Sequence, residues 1–310
     1  MPPMSENLAF ALVLTAAPGA GLIGDTEVMS ARGALAGETV LDEGWLGPGD
    51  AWETLLARPE DADSSVLVAR VREALGGRAI DINLVGADLA TRRKQLLIAD
   101  MDSTIIGQEC IDEMGDMLGI KARIAAITER AMRGELGFEG ALRERMALLA
   151  GLSEDDLQRV FDERITLTPG ARMMVQTMRA NGAFTALVSG GFTYFTGRVA
   201  AAVGFDFNRA NSLEIAKGQL TGRVTEPILG REAKLSALRE LAANRDIDLA
   251  LTLAVGDGAN DLAMIGAAGL GVAFRAKPVV AAEADAGITH GDLTALLYLQ
   301  GYRRHEFVEA

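Results

Sequence analysis

Four short apolar runs, each ending in a polar or glycine-rich turn, constrain the fold of this chain more than any other feature. The runs are LLIAD at 96–100, AFTALVSGG at 183–191, LTLAVGDG at 251–258 and GLGVAF at 269–274. None of them alternates apolar with polar residues, so each is typical of a strand that is covered on both faces. Helical segments separate the runs, and this order predicts an α/β fold with a Rossmann-like, doubly wound parallel sheet.

Two insertions interrupt that order within the predicted second domain, residues 95–310. Residues from about 110 to 166 contain few strand-forming stretches, but they carry Met, Leu, Glu and Arg at helical spacing. We therefore expect a helical cap inserted directly after the first strand. The segment NSLEIAKGQLTGRV, 211–224, is typical of a hairpin that turns at Lys217 and Gly218.

Residues 1–88 are expected to form a separate small α+β unit with an antiparallel sheet. The segment from Asn7 to Gly24 is free of charge, but no basic residue precedes it, and a proline and three glycines interrupt it. Its large residues alternate, as do those of AIDINLV at 79–85, so we predict two half-buried strands rather than a signal peptide or a membrane span. The polar and basic ATRRKQ, 90–95, is the expected linker to the next unit.

The net charge of −13 bears on what the chain binds. An acidic surface attracts neither nucleic acid nor an anionic membrane, so we expect neither as a partner, while the oligomeric state stays open. If the substrate is an anion, the site itself has to supply positive charge. The single cysteine, Cys110, excludes an internal disulfide and a multi-cysteine metal site, which is typical of a reducing compartment, and we expect the cytoplasm.

Asp100 and Asp102 leave the first apolar run together, at the edge where parallel sheets bind their ligands. Two carboxylates this close repel each other, so one binds a proton unless a cation offsets the repulsion. One could then serve as nucleophile or metal ligand and the other as general acid, with Mg²⁺ as the preferred hard cation. Taken alone, however, a D-x-D is explained better by a strand end followed by a turn cap.

Three further features favour a functional site over a strand end followed by a turn cap. Asp257 and Asp261 lie in VGDGAND at the end of another run, and S-G-G at 189–191 precedes a predicted helix, where backbone N–H groups can bind an anion. Lys234 follows a turn at Gly230 and could supply a fixed positive charge. Each feature alone also fits turn geometry or, for Lys234, a solvated surface lysine. Together they predict one polar site at the carboxyl edge of the sheet.

Several other chemistries fail on inspection of the sequence. The residue six positions after Cys110 is Asp116, not the arginine that a cysteine phosphatase requires. No G-x-x-x-x-G-K-[ST] occurs, and GDGAND ends in Asp261 instead of the glycine of a dinucleotide-binding motif. His290 and His305 lack metal-ligand spacing, so we expect them to be structural or surface residues.

Four motifs of this chain resemble those of the haloacid dehalogenase (HAD) superfamily and, within it, of the phosphoserine phosphatase family. In their order along the chain, they are DMDST, SGG, Lys234 and GDGAND. The likeness runs from about Leu96 to Ile288. It implies hydrolysis of O-phospho-L-serine to L-serine and phosphate, the last step of serine biosynthesis, through an aspartyl-phosphate. Asp100 would be the nucleophile, and Asp102 the general acid and base.

The resemblance also implies a Mg²⁺ ion bound by Asp100, Asp257 and the backbone carbonyl of Asp102. By the same resemblance, Ser189, the Gly190 N–H and Lys234 would hold the phosphoryl oxygens. Asn260 and Asp261 would support the metal ligands or Lys234. Within the cap, Arg145 would pair with the carboxylate of the substrate and Glu109 with its ammonium group, while Met132 and Phe138 would exclude water. Without the resemblance, these four cap residues fit an ordinary helical bundle.

The amino-terminal unit is similar in position to the ACT-like modules of longer phosphoserine phosphatases, which implies that it could bind serine. Two alternatives to the leading function remain at this point. A phosphotransferase or phosphatase acting on a related phospho-amino acid, such as phosphohomoserine, would need the same residues. A regulatory amino-acid-binding protein on an inactive scaffold would have lost one or more of Asp100, Asp102, Lys234 and Asp257, and all four are present.

Overall fold

The computed structural model describes residues 7–59, 61–88, 90–133, 135–230 and 232–309, apart from the side chains of Asn7 and Met132. Two separate sheets organise these residues, one with four strands and one with seven. Within the described residues, no helix combines the length and the apolar character needed to cross a membrane.

The amino-terminal module, residues 7–86, is a four-stranded antiparallel sheet with two helices. Its elements are β1 (Asn7–Ala16), α1 (Asp25–Ala34), β2 (Thr39–Gly47), β3 (Ala51–Pro59), α2 (Ser64–Ala74) and β4 (Ile80–Gly86). The strand order is β2-β3-β1-β4, so the chain follows the β-α-β-β-α-β path of ferredoxin-like modules. The two predicted strands of this region correspond to β1 and β4.

Both faces of β1 are buried over much of its length, which differs from the half-buried strand predicted from its alternation. Leu12 and Leu14 pack with the residues of α1 and α2 in one core. Ala11 and Val13, on the opposite face, are buried in the core of the seven-stranded unit. The alternation of large and small residues therefore separates two cores and does not mark a solvent-facing side.

The seven-stranded sheet confirms the predicted doubly wound α/β fold. Its strands are β5 (Leu96–Ala99), β6 (Phe184–Phe192), β7 (Phe207–Ala216), β8 (Gln219–Thr225), β9 (Thr252–Gly256), β10 (Leu270–Phe274) and β11 (Ala286–Ile288). The order is β11-β10-β9-β5-β6-β7-β8. Neighbouring strands are parallel except in the β7–β8 hairpin, which turns at Lys217 and Gly218, both with positive φ, as predicted.

Helices cover both faces of this sheet. They are α7 (Ala171–Ala180), α8 (Thr193–Val203), α9 (Glu232–Ala243), α10 (Leu262–Ile265), α11 (Pro278–Glu283) and α12 (Ala295–Leu299). The four residues of β5 are fully buried, with Leu97 and Ala99 in one core and Leu96 and Ile98 in the other. This two-sided burial is the reason that the strand lacks any alternation of apolar and polar residues.

Four helices form the predicted cap between β5 and α7. They are α3 (Cys110–Met117), α4 (Lys121–Met132), α5 (Phe138–Leu148) and α6 (Glu154–Arg164). The two connections to the sheet lie side by side, since Ile106 forms an antiparallel bridge with Leu167 and the Gly107 N–H donates to the Thr166 carbonyl at 3.0 Å. We call this paired segment, residues 105–107 and 166–168, the cap stem.

Two polar side chains of β4 attach the module to the end of the seven-stranded sheet. The buried Asp81 carboxylate accepts hydrogen bonds from three successive backbone N–H groups, residues 289–291, the shortest at 2.8 Å. Asn83 accepts from the Gly287 N–H at 2.8 Å and donates to the Gly287 carbonyl at 3.1 Å. These side chains satisfy backbone groups of β11 and of the three residues that follow it, as a neighbouring strand would.

The segment predicted as a linker, 90–95, is packed between the two units. The Arg92 guanidinium pairs with Glu53 at 2.6 Å, and its Nε donates to the Leu299 carbonyl at 3.2 Å. The Lys94 ammonium group donates to the carbonyls of Ala250 and Gly269 at 2.7 and 3.1 Å. Both side chains are largely buried, so their charge serves the packing of the interface rather than solubility.

Candidate active site

The predicted site residues converge at the carboxyl edge of the seven-stranded sheet. Asp100 follows β5, Ser189 lies near the end of β6, and Asp257 follows β9, which are adjacent strands. Lys234 comes from the first turn of α9 and reaches the same place. The edge expected from the four apolar runs is therefore where these side chains meet.

Lys234 connects two of the carboxylates. Its ammonium group lies 2.7 Å from Asp100 Oδ2 and 2.5 Å from Asp261 Oδ1, and all three residues are buried. Burial alone would lower the pKa of Lys234, but the two carboxylates reverse this and raise that pKa above its usual value. The lysine is thus a fixed positive charge in the site, which is what the site would need for an anionic substrate.

Negative charge nevertheless exceeds positive charge around this lysine. Burial and the charge of Asp261 raise the pKa of Asp100, although Lys234 opposes them. Burial and Asp261 also raise the pKa of Asp257 to about 6. Oxygen atoms of Asp100, Asp257 and Asp261 lie within 4.8 Å of one another. A cluster of carboxylate oxygens with uncompensated charge fits a divalent cation that prefers hard ligands.

The hydrogen bonds to the carboxylate oxygens distinguish Asp261 from Asp257. Both oxygens of Asp261 are occupied, one by Lys234 and the other by the Gly258 N–H at 3.0 Å. From the described residues, Asp257 accepts only a long hydrogen bond of 3.4 Å, donated by the Thr104 hydroxyl to Oδ1. Asp257 is therefore better placed than Asp261 to bind a cation, in accordance with the supporting role expected for Asp261.

Asp102 points toward the cap side of the turn. Its Oδ1 accepts from the Cys110 N–H at 2.9 Å, and its Oδ2 accepts from the Ser189 hydroxyl at 3.2 Å. The turn places Ser103 at a positive φ of 54°, so the two aspartates separate although they are two residues apart. Burial raises the pKa of Asp102 despite these hydrogen bonds, which favours a carboxyl that can hold and release a proton.

The S-G-G turn is fitted closely to Asp102. The Gly191 N–H donates to the Ser189 hydroxyl oxygen at 2.9 Å, which orients that hydroxyl. A Cβ atom at Gly191 would lie 2.8 Å from Asp102 Oδ2, so only glycine permits this approach. In GDGAND, a Cβ atom on Gly258 would likewise collide with Asn260 Oδ1. At both turns the absence of a Cβ atom makes room for a polar side chain of the site.

Sequence reasoning missed Asn211, which connects the S-G-G turn to the loop before α9. Its buried side chain donates to the Gly190 carbonyl at 2.8 Å and accepts from the Leu229 N–H at 2.7 Å. Thr104 beside Asp257 was missed as well. A polar residue within the predicted hairpin could have been noticed, but its partners lie 18 and 21 positions away along the chain.

Two predicted cap residues, Phe138 and Arg145, both lie on α5. The Phe138 ring lies 3.5 Å from the position of a Cβ atom on Gly190, so the cap approaches the S-G-G turn directly. Arg145 is half-buried, donates only to the Ala141 carbonyl and the Thr128 hydroxyl, at 3.3 and 3.4 Å, and has no carboxylate partner among the described residues. This guanidinium is therefore free to donate to the carboxylate of a ligand.

Glu109 lies at the solvent-exposed mouth of the site. The Ser103 hydroxyl donates to its carboxylate at 2.7 Å. Partial desolvation of the carboxyl and the negative charge of Asp102 raise the pKa of Glu109 to about 7, so an approaching ammonium group would relieve an unfavourable environment. The prediction for Met132 lies outside the described residues, because its side chain is not described.

Comparisons with known proteins agree with this geometry. The sequence model of the haloacid dehalogenase-like hydrolases matches residues 97–266. A phosphoserine phosphatase of Streptomyces coelicolor is 45% identical over 255 residues, which are 81% of this chain and 62% of the relative. The chain thus spans less than two thirds of that longer protein. A phosphoserine phosphatase of Polaromonas sp. is 44% identical over 223 residues, which are 70% of this chain and 94% of the relative.

A solved structure extends the likeness to almost the whole chain. A probable phosphoserine phosphatase from Vibrio cholerae, in unliganded form, matches with a TM-score of 0.77 and 32% sequence identity. The match covers 96% of this chain and 88% of that one, so it includes both sheets.

Proposed function

Because the chain belongs to the phosphoserine phosphatase family of the haloacid dehalogenase-like hydrolases, we propose that it hydrolyses O-phospho-L-serine to L-serine and phosphate. The observation that carries the proposal is the contact of Lys234 with Asp100 at 2.7 Å, beside the Ser189 turn and the second carboxylate, Asp102. A nucleophile, a proton donor and a fixed cation are thereby gathered at one edge of the sheet. We place the reaction in the cytoplasm.

Asp100 begins the reaction in this mechanism. One carboxylate oxygen attacks phosphorus and forms an aspartyl-phosphate, while Asp102 donates its proton to the departing serine oxygen. Asp102 then takes a proton from the water that attacks the aspartyl-phosphate, which releases phosphate and restores Asp100. The raised pKa of Asp102 suits the first of these transfers, and its hydrogen bonds from Cys110 and Ser189 keep the carboxyl in place for both.

Ser189, the Gly190 N–H and Lys234 bind the phosphoryl oxygens in this proposal. We assign the cation as Mg²⁺, held by Asp100, Asp257 and the backbone carbonyl of Asp102, with Asn260 and Asp261 as supports. Once bound, the ion offsets the repulsion between carboxylates and phosphate. Support for this set comes from the Asp257 oxygen to which no described residue donates, and from the hydrogen bond between Lys234 and Asp261.

The cap recognises the amino-acid half of the substrate. Arg145 pairs with the carboxylate, because it lacks an acidic partner among the described residues. Glu109 accepts from the ammonium group, and Phe138 closes the site over the S-G-G turn. We keep Met132 in this pocket as an expectation from the sequence.

The proposal is tested by phosphate release in the presence of Mg²⁺ from phosphoserine, phosphothreonine, phosphohomoserine and sugar phosphates. We expect phosphoserine to react with the highest kcat/KM and Asp100→Asn to lose turnover. Substantial turnover by Asp100→Asn would refute the covalent mechanism, and faster reaction of sugar phosphates would refute the roles of Glu109 and Arg145. Added homoserine tests the alternative: transfer of phosphate to it at the expense of water would identify a phosphotransferase.

We also propose that residues 1–88 form a regulatory module that binds serine. Its β-α-β-β-α-β topology supports this assignment. Titration calorimetry of the full chain with L-serine, in the absence of Mg²⁺ and with Arg145→Ala to remove the substrate pocket, should still show heat of binding. The absence of heat in that variant would place any serine binding in the active site alone.

A further inference from the structure

A cleft of about 460 Å³ lies between the amino-terminal module and the seven-stranded unit, outside the candidate active site. Its walls come from the β2–β3 turn of the module, from the second half of the cap stem with the start of α7, and from the segment around α12. The volume is within the range of small-molecule sites, which occur preferentially at such junctions.

The apolar part of this cleft is formed by side chains near the start of α7 and by side chains in and after α12. The rings of Tyr298 and Phe307 pack against each other with centroids 4.9 Å apart, and Leu167 and Met173 line the cleft with them. Tyr298 is only 2% exposed, yet its hydroxyl has no hydrogen-bond partner in the described part of the chain. The hydroxyl oxygen itself keeps some exposure in the cleft, so a ligand or water there can reach it.

Charges of both signs surround the two rings. The Arg172 guanidinium is exposed and forms no ion pair with any described residue. Among the described residues, Arg304 forms an ion pair only with the exposed Glu309, at 3.7 Å, and its guanidinium lies 5.3 Å from the centroid of the Phe307 ring. Two aspartates line the cleft as well: Asp50 Oδ1 accepts from the Gly19 N–H at 2.8 Å, and Asp292 Oδ1 accepts from the Thr294 N–H at 2.8 Å and from the Thr294 hydroxyl at 2.5 Å. Their Oδ2 atoms have no hydrogen-bond donor among the residues that the structure describes.

We propose that this cleft binds a zwitterionic α-amino acid with an apolar or aromatic side chain. Arg172 and Arg304 would pair with its carboxylate, and the Tyr298 hydroxyl would donate to the same carboxylate. Asp50 and Asp292 would accept from its ammonium group. The apolar side chain would lie on the ring pair. The hydroxymethyl group of serine is too small and too polar to fill this space, so the cleft is distinct from the serine site proposed above.

The cleft is also connected to the active site through the backbone. The Thr168 N–H donates to the Ile105 carbonyl at 2.9 Å, and Leu167 pairs with Ile106, at the end of the turn that carries Asp102. A ligand against Leu167 therefore contacts the cap stem directly. The inference itself concerns binding and does not depend on the proposed phosphatase activity.

Calorimetry and thermal shift on the full chain test the proposal, with L-leucine, L-phenylalanine, L-serine and glycine as probes. Isoamylamine and 4-methylpentanoate, which keep the apolar part of leucine but lack one charge each, complete the panel. We expect L-leucine or L-phenylalanine to bind and to raise Tm, and the singly charged analogues to bind at least tenfold more weakly. Equal binding of either analogue would overturn the zwitterion assignment, and the absence of binding by both large amino acids would overturn the site.

Variants locate the binding. Arg172→Ala removes an exposed side chain and should weaken binding about tenfold, as loss of a charge-assisted hydrogen bond does. Tyr298→Phe keeps the ring and should weaken it less. Arg239→Ala removes another exposed arginine, outside the cleft, and should leave the affinity unchanged. If Arg172→Ala and Tyr298→Phe both bind as tightly as the Arg239→Ala control, the ligand binds elsewhere and the proposal is wrong.

Discussion

Removal of the Asp81 carboxylate is the strongest single test of how the amino-terminal module is attached to the seven-stranded unit. It accepts hydrogen bonds from the backbone N–H groups of residues 289–291 and is itself only 5% exposed. Asp81→Ala would leave three donors without an acceptor. A buried donor that loses its partner costs about 1–3 kcal/mol, and because water can enter the space left by the side chain, we take the low end for each. The free energy of unfolding should therefore fall by about 3 kcal/mol.

The magnitude is checked by urea denaturation against a matched control. Asp63→Ala removes an exposed aspartate of the same module, which caps α2 through the Ser65 N–H at 2.8 Å. Loss of such a cap costs about 1 kcal/mol. Hydrogen exchange at residues 289–291 should accelerate in Asp81→Ala and stay unchanged in Asp63→Ala. If Asp81→Ala costs no more than the control, the carboxylate does not hold the two units together.

Three further predictions concern the active site. Lys234→Ala should abolish phosphate release. It should also lower the free energy of unfolding, measured in urea, by about 3–5 kcal/mol, because it leaves buried carboxylates without their cation. Unchanged stability of this variant would contradict the prediction. In the folded state the pKa of Glu109 is raised from 4.5 to about 7, so the folded protein binds the carboxyl proton of Glu109 more tightly than the unfolded chain does. This carboxyl therefore contributes stability that is fully present below pH 4.5 and is lost as the pH rises toward 7. Wild-type stability should therefore fall relative to Glu109→Gln over that range in urea titrations, and a parallel course would refute the shift. Gly191→Ala should reduce kcat more than tenfold in the phosphate-release assay, since the new Cβ would lie 2.8 Å from Asp102 Oδ2, whereas Gly197→Ala on α8, with nothing within 4 Å, should not.

The part of the fold that the sequence predicts is the part decided by local patterns. Continuous apolar runs such as LLIAD identify buried strands, and the edge rule for parallel sheets then brings Asp100, Ser189 and Asp257 together without further information. The hairpin turn at Lys217 and Gly218 and the helical cap are likewise local. These elements needed no knowledge of what packs against them.

What the sequence could not predict depends on contacts between distant segments. Asn211 serves the site through backbone groups of two other loops, so its type and position alone do not reveal it. The basic segment 90–95 was predicted only as a linker, and its sequence does not reveal that Lys94 is buried where two backbone carbonyls face it. The second buried face of β1 also depends on a unit that begins about eighty residues later in the chain.

That double burial of β1 gives neighbouring positions different consequences for mutation. Enlarging Leu12 would disturb the module internally, whereas enlarging Val13 would press against the seven-stranded unit and leave the module's own helices in place. Odd and even positions of one strand thus report separately on the integrity of the module and on its attachment. A saturation scan across β1 would divide its effects with a period of two, into loss of a folded module and release of an intact one.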